Sequence, residues 1–84
     1  MYQIFFSDRA EKQLKKLEKT LQQRILAGLE RIRVRPEIHV TRLVGEQGYK
    51  LRAGDYRIIM DIDRGKLIIL VIKVGHRKDI YKKP

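Results

Sequence analysis

Cationic side chains carry the chemistry this sequence offers. Lys50, Arg52 and Arg57 stand close together in the segment Gly48-Tyr49-Lys50-Leu51-Arg52-Ala53-Gly54-Asp55-Tyr56-Arg57. Successive side chains of a strand point to opposite faces. Tyr49, Leu51 and Ala53 are therefore expected on one face, and Lys50 and Arg52 on the other. With Gly54-Asp55 as a two-residue turn, Ala53 pairs with Tyr56 and Arg52 with Arg57. Two guanidiniums then face each other beside Lys50. Like charges directly opposite on a sheet destabilise it by roughly a few tenths of a kcal/mol or more. A bound phosphate would account for keeping them; the alternative is neutralisation by Asp61 or Glu46.

The second basic stretch is Val74-Gly75-His76-Arg77-Lys78-Asp79-Ile80-Tyr81, followed by Lys82 and Lys83. Gly75 is expected to end a strand and turn the chain, bringing Arg77 to the end of the sheet. An aromatic among cations near a phosphate site can stack an unpaired base, worth roughly 1–3 kcal/mol. Tyr81 has that setting, although its spacing fits a residue sealing the core edge nearly as well. His76, next to Arg77, is a polar surface residue on the plainer reading. His39, after Pro36, gives no signal of its own.

Bulk charge agrees with a polyanionic partner. Lys and Arg total 20 against 10 Asp and Glu, a net charge of +10. On so small a domain this attracts phosphate backbones in a salt-sensitive way, and an acidic protein partner fits the same number. The absence of cysteine excludes disulfides and thiolate metal sites. No apolar run reaches the length of a membrane span, and the N-terminus lacks the basic start and long apolar core of a signal peptide. A cytoplasmic protein with no membrane partner is expected, with residues 1–84 as a single domain.

The elements that must position these cations follow from periodicity. Tyr2 to Phe6 reads as a strand. Ser7 and Asp8 offer N-cap oxygens to a first helix carrying Ala10, Leu14 and Leu17 at helical spacing. Lys12, Lys15, Lys16 and Lys19 occupy its other face, a solvated surface. Thr20 and Gln23 form a capping-box pattern opening a second helix with the apolar stripe Leu21, Ile25, Leu29 and Ile32, closed by Pro36. Gly28 there suggests a close approach to the first helix. Strands are expected at Val40–Val44, Tyr49–Ala53, Tyr56–Asp63 and Lys66–Val74, with tight turns at Gly54-Asp55 and Arg64-Gly65. Leu67 to Ile72, apolar on both faces, should be interior to the sheet. The sum is an α+β domain: an N-terminal strand and an antiparallel helix hairpin packed on one face of a small, mainly antiparallel sheet.

The segments 48–57 and 74–81 resemble the two signature stretches of the RelE/ParE toxin superfamily, on its RelE side. The likeness extends to the N-terminal strand, the Lys-rich helix pair and Arg42-Leu43-Val44-Gly45. It implies the RelE-like microbial ribonuclease fold and a toxin of a type II toxin–antitoxin system. Toxins of the RelE kind cut messenger RNA in the ribosomal A site by attack of a ribose 2′-hydroxyl on the adjacent phosphate. By this resemblance Lys50 is the base toward that hydroxyl, and Arg52 stands where relatives carry a second lysine. Arg57 steadies the transferring phosphate, Arg77 aids the leaving oxygen and Tyr81 stacks on the codon base. Other branches use a histidine, which brings in His76. Lys12, Lys15, Lys16, Lys19, Lys78, Lys82 and Lys83 become RNA or ribosome contacts. The implied partners are a RelB-like antitoxin, the ribosome and mRNA, with operator DNA reached only through the antitoxin complex; no cofactor or metal is implied. A ParE-like gyrase inhibitor and a plain basic nucleic-acid-binding module are the alternatives. A gyrase inhibitor would not need Lys50, Arg52, Arg57, Arg77 and Tyr81 together.

Overall fold

The computed structural model describes residues 1–78. Strand β1 (Gln3–Phe6) is followed by helices α1 (Asp8–Lys15) and α2 (Lys19–Ile32) and a short 3-10 helix (Pro36–Ile38). Strands β2 (Thr41–Arg42), β3 (Tyr49–Ala53), β4 (Tyr56–Asp63) and β5 (Ile68–His76) follow. They form one five-stranded sheet in the order β1-β5-β4-β3-β2. Among the described residues only β1 and β5 run parallel; the other neighbours are antiparallel. This is the expected α+β architecture, and β5 lies inside the sheet as its composition requires.

Both helices supply the cover for one sheet face. Ala10 and Leu14 of α1 and Ile25, Leu29 and Ile32 of α2 join Ile58, Met60, Ile69, Val71 and Val74 in one core. Among the described residues every buried side chain of this core is apolar or Tyr2, and none is charged. Ser7 caps α1 as its sequence suggests: its Oγ accepts the Ala10 amide at 3.1 Å. Among the described residues no helix is long and apolar enough to cross a membrane.

Four local expectations are corrected. Helix α2 opens at Lys19 with Glu18 as its N-cap, so the Thr20–Gln23 pattern does not cap it and Lys19 belongs to the second helix. Gln22 takes the connecting role instead, donating to the Leu17 carbonyl at 2.7 Å where α1 ends. Gly28 faces β3, not α1: a methyl group there would lie 3.6 Å from Leu51 Cδ2. The β4–β5 connection is a four-residue loop, because Asp63 pairs with Ile68. Asp63 Oδ1 accepts the Lys66 amide at 3.0 Å, and Leu67 takes φ +56° so that its carbonyl can receive the Gln3 amide at 2.9 Å. Strand β2 is only two residues long; beyond it Leu43 bonds back to Gly48 at 3.1 Å, leaving Val44 in solvent.

Gly75 does not end β5. It pairs with Arg57, and His76 pairs with Tyr56. A β-bulge explains the shift: Met60 pairs with Val71 but Ile59 pairs with Lys73, leaving Ile72 as the extra residue. The bulge frees backbone groups that α1 satisfies. Ser7 Oγ donates to the Ile72 carbonyl at 2.7 Å, and Gln13 Oε1 accepts the Val74 amide at 2.7 Å.

Candidate active site on the open sheet face

The face turned away from the helices is assembled from register. Ala53 pairs with Tyr56 across Gly54-Asp55, so Arg52 stands directly opposite Arg57. Gly54 carries φ +62°, the left-handed value a two-residue hairpin asks of its first central residue. One row of the open face reads Arg52, Arg57, Gly75, and the next reads Thr41, Lys50, Ile59, Lys73. Gly75 contributes no side chain beside Arg57. Ile59 is only 5% exposed although it faces away from the core. The lysines that flank it have aliphatic stems of the kind that cover apolar surface while holding the charge in water.

Both arginines converge on the same turn. Arg52 Nε and Arg57 Nη1 each donate to the Gly54 carbonyl at 3.3 Å, and Arg57 Nη1 also reaches the Tyr56 carbonyl at 3.3 Å. Among the described residues neither guanidinium is paired with a carboxylate; the ion pairs Lys15–Glu11 and Arg33–Glu30 lie on the helices. Asp61 shares the open face but stands in the row of Leu70 and does not neutralise the arginine pair. A depression of about 290 Å³ opens here, lined by His39, Thr41, Lys50, Leu51, Arg52 and Arg57. A larger groove of about 530 Å³ lies elsewhere, between β1 and α2, among Phe5, Phe6, Leu26 and Leu29. It is mainly apolar and far poorer in cations, so the smaller depression is the better place for phosphate chemistry.

The remaining sequence candidates separate by position. The Arg77 amide donates to the Asp55 carbonyl at 2.8 Å, holding this residue beside the Gly54-Asp55 turn, but its side chain does not line the depression. His76 packs toward the helix side, its ring edge-on to Tyr56 at 5.5 Å. Its Nδ1 accepts the Lys78 amide at 3.1 Å. Lys12, Lys15 and Lys16 are exposed on and just after α1, which covers the opposite sheet face; Lys15 pairs with Glu11 at 2.9 Å. Lys19 is exposed at the start of α2, and Lys78 is exposed after β5. Tyr81, Lys82 and Lys83 lie outside the described residues.

Two lining or flanking residues were not singled out by sequence. Lys73 joins the open face because the bulge shifts the alternation of β5. Strict alternation from Val71 would have turned it into the core. His39 reaches the depression from the segment before β2. The pairing Thr41–Lys50, continued back two residues, points from His39 toward Arg52, a signal visible only once the register is known. Among the described residues no group of three His, Asp or Glu side chains could hold a metal ion.

The chain resembles known proteins over most of its length. A family model described as "ParE toxin of type II toxin-antitoxin system, parDE" matches residues 4–81. A putative RelE-like toxin protein of Escherichia coli is 34% identical over 85 aligned residues, covering 95% of this chain and 90% of the relative. The mRNA interferase toxin RelE of Escherichia coli K12 is 30% identical over 80 residues, covering 92% and 84%. In the crystal structure of the intact Escherichia coli RelBE toxin–antitoxin complex, one chain superimposes with a TM-score of 0.77 at 30% identity, covering 90% of this chain and 96% of that one. Sequence and fold thus agree, and this chain belongs to the RelE/ParE superfamily of type II toxin–antitoxin toxins.

Proposed function

We propose that this toxin is a ribosome-dependent endoribonuclease that cuts messenger RNA in the A site and so stops translation. The observation that carries the reading is the arginine pair Arg52–Arg57 beside Lys50, set in one depression with no described carboxylate against either guanidinium. Cleavage by a 2′-hydroxyl gathers negative charge on the phosphorus oxygens, and preorganised cations aimed at that charge are the main requirement. Lys50 takes the 2′-hydroxyl proton. Arg57, with Arg52 beside it, holds the transferring phosphate, because a guanidinium stays charged and offers a rigid donor fork. Arg77 assists from the turn end of the sheet, and Tyr81 stacks the codon base. Exposed lysines, Lys12, Lys16, Lys19 and Lys78 among them, hold ribosomal RNA. The reaction needs no metal in this scheme. A RelB-like antitoxin neutralises the toxin, and operator DNA is met only through that complex.

Induction of the protein in cells should halt growth with new 5′ ends inside codons of translated messages. Sequencing 5′ ends after induction reads this directly. The family model is named for ParE, so the competing outcome is concrete: intact messages with altered plasmid supercoiling would replace the ribonuclease reading by gyrase inhibition.

A further inference from the structure

We propose that Arg24, an exposed residue of α2, binds the phosphate one link downstream of the cleaved bond and so helps to set which bond faces Lys50. The inference rests on the ribonuclease reading of the basic depression and deepens it. Helix α2 covers the opposite sheet face, yet the Arg24 guanidinium reaches the Gly54-Asp55 turn: a methyl group on Gly54 would lie 3.6 Å from Arg24 Nη1. Arg52 and Arg57 bond to the Gly54 carbonyl at 3.3 Å, and the Arg77 amide bonds to the Asp55 carbonyl at 2.8 Å. One turn thus gathers arginines from four places in the chain. Residues three and four positions from Arg24 are neighbours on a helix surface; here they are Thr20, Leu21, Ala27 and Gly28, so α2 offers it no carboxylate there. Asp55 stands in the turn itself, but among the described residues Arg24 forms no ion pair with it.

The order of the cations gives the bound strand its direction. Lys50 and Arg52 stand two residues, about 6.7 Å, apart along β3, and Gly54 follows two residues later. Successive phosphates of an extended RNA strand repeat at a comparable distance, so one strand can meet these cations in turn. Lys50 serves the 2′-hydroxyl, on the nucleotide upstream of the cleaved bond. Arg77, tied to the turn, serves the leaving oxygen, on the nucleotide downstream. The message therefore runs 5′ to 3′ from Lys50 toward the turn. The phosphate after the one held by Arg57 and Arg52 falls at Gly54, where Arg24 meets it. Gly54 has no side chain to obstruct that approach, and its φ of +62° disfavours one. A guanidinium suits the role, since its rigid fork of donors matches a phosphate.

The test compares three messages on programmed ribosomes, read as cleavage rate at subsaturating protein. One has ordinary phosphodiesters throughout. The second carries an uncharged methylphosphonate at the link just downstream of the cleaved bond, and the third carries it just upstream. Arg24→Gln should slow cleavage of the ordinary message by about 10- to 100-fold, the scale of a lost charge-assisted hydrogen bond. The downstream methylphosphonate should slow the unmodified protein to a similar extent. On that message Arg24→Gln should add no more than about twofold, because both changes remove the same contact. With the upstream methylphosphonate the variant should keep its full defect. Lys16→Ala should weaken cleavage of all three messages alike. Because Arg24 is exposed, its variant should keep its circular dichroism and melting temperature. Equal slowing of all three messages by Arg24→Gln, or no slowing of any, overturns the assignment while leaving the ribonuclease reading intact. A defect that vanishes only with the upstream substitution overturns it as well. Failure of the unmodified protein to cut the ordinary message removes both.

Discussion

The two faces of the sheet are made from alternate residues of the same strands, and they obey different rules. Toward the helices, Ile58, Met60, Ile69 and Val71 are fully buried, and among the described residues no charge is buried with them. Away from them, the same strands present Lys50, Arg52, Arg57 and Lys73 in two adjoining rows. The covered face gains free energy from apolar burial, at about 25 cal/mol per Å². The open face gives some back, since like charges are held in register without carboxylates between the arginines. Native sequences break local rules chiefly where function requires it. The proposed function draws on that contrast, and single substitutions can test how separate the two faces are.

The largest effect should come from the open face. Arg57→Ala is expected to lower single-turnover cleavage on programmed ribosomes by roughly 10²–10³-fold, the scale for losing one preorganised stabiliser of transition-state charge. Its melting temperature should hold or rise slightly, because a like-charge neighbour of Arg52 is gone. Lys16→Ala, beyond the covered face, should instead leave the rate at saturating ribosome unchanged and weaken binding as salt is raised. Identical binding-only phenotypes for the two variants would abolish the distinction between a chemical face and a docking face.

An intermediate effect should come from the device that joins the faces. Gln13→Ala removes the acceptor of the buried Val74 amide, and an orphaned buried donor costs about 1–3 kcal/mol. Chemical denaturation should show that loss. Cleavage should fall as well, since the bulge at Ile72 sets Lys73 and Gly75 on the open face. Lost stability with fully retained cleavage would mean that the bulge serves packing alone.

The smallest effect has the opposite sign. Gly28→Ala should stabilise the protein by about 0.5–1 kcal/mol, by restricting the unfolded chain and improving helix propensity. The added methyl would meet Leu51 Cδ2 at an ordinary 3.6 Å. As the contact lies on the covered face, cleavage should be unchanged. A drop in activity would reveal that Leu51, which also lines the depression, transmits strain through the strand.

Much of this division was legible in the sequence. Helical and alternating periods, Ser7 as a cap and Gly54-Asp55 as a two-residue turn depend on neighbours in the chain, so local rules determine them. That turn in turn fixed Arg52 opposite Arg57. Other features depend on contacts distant in sequence. Strict alternation would have sent Lys73 inward; the bulge sends it outward because Ser7 and Gln13, more than 50 residues away, supply partners for the backbone groups that the bulge releases. Leu67 accepts a left-handed φ because the incoming Gln3 amide needs its carbonyl. His39 and His76 look alike as isolated histidines. Only the pairing of Thr41 with Lys50 brings the first to the cations, and only the shifted register of β5 turns the second away. Sequence determined which side chains could share a strand face; long-range hydrogen bonding decided which face each one finally occupied.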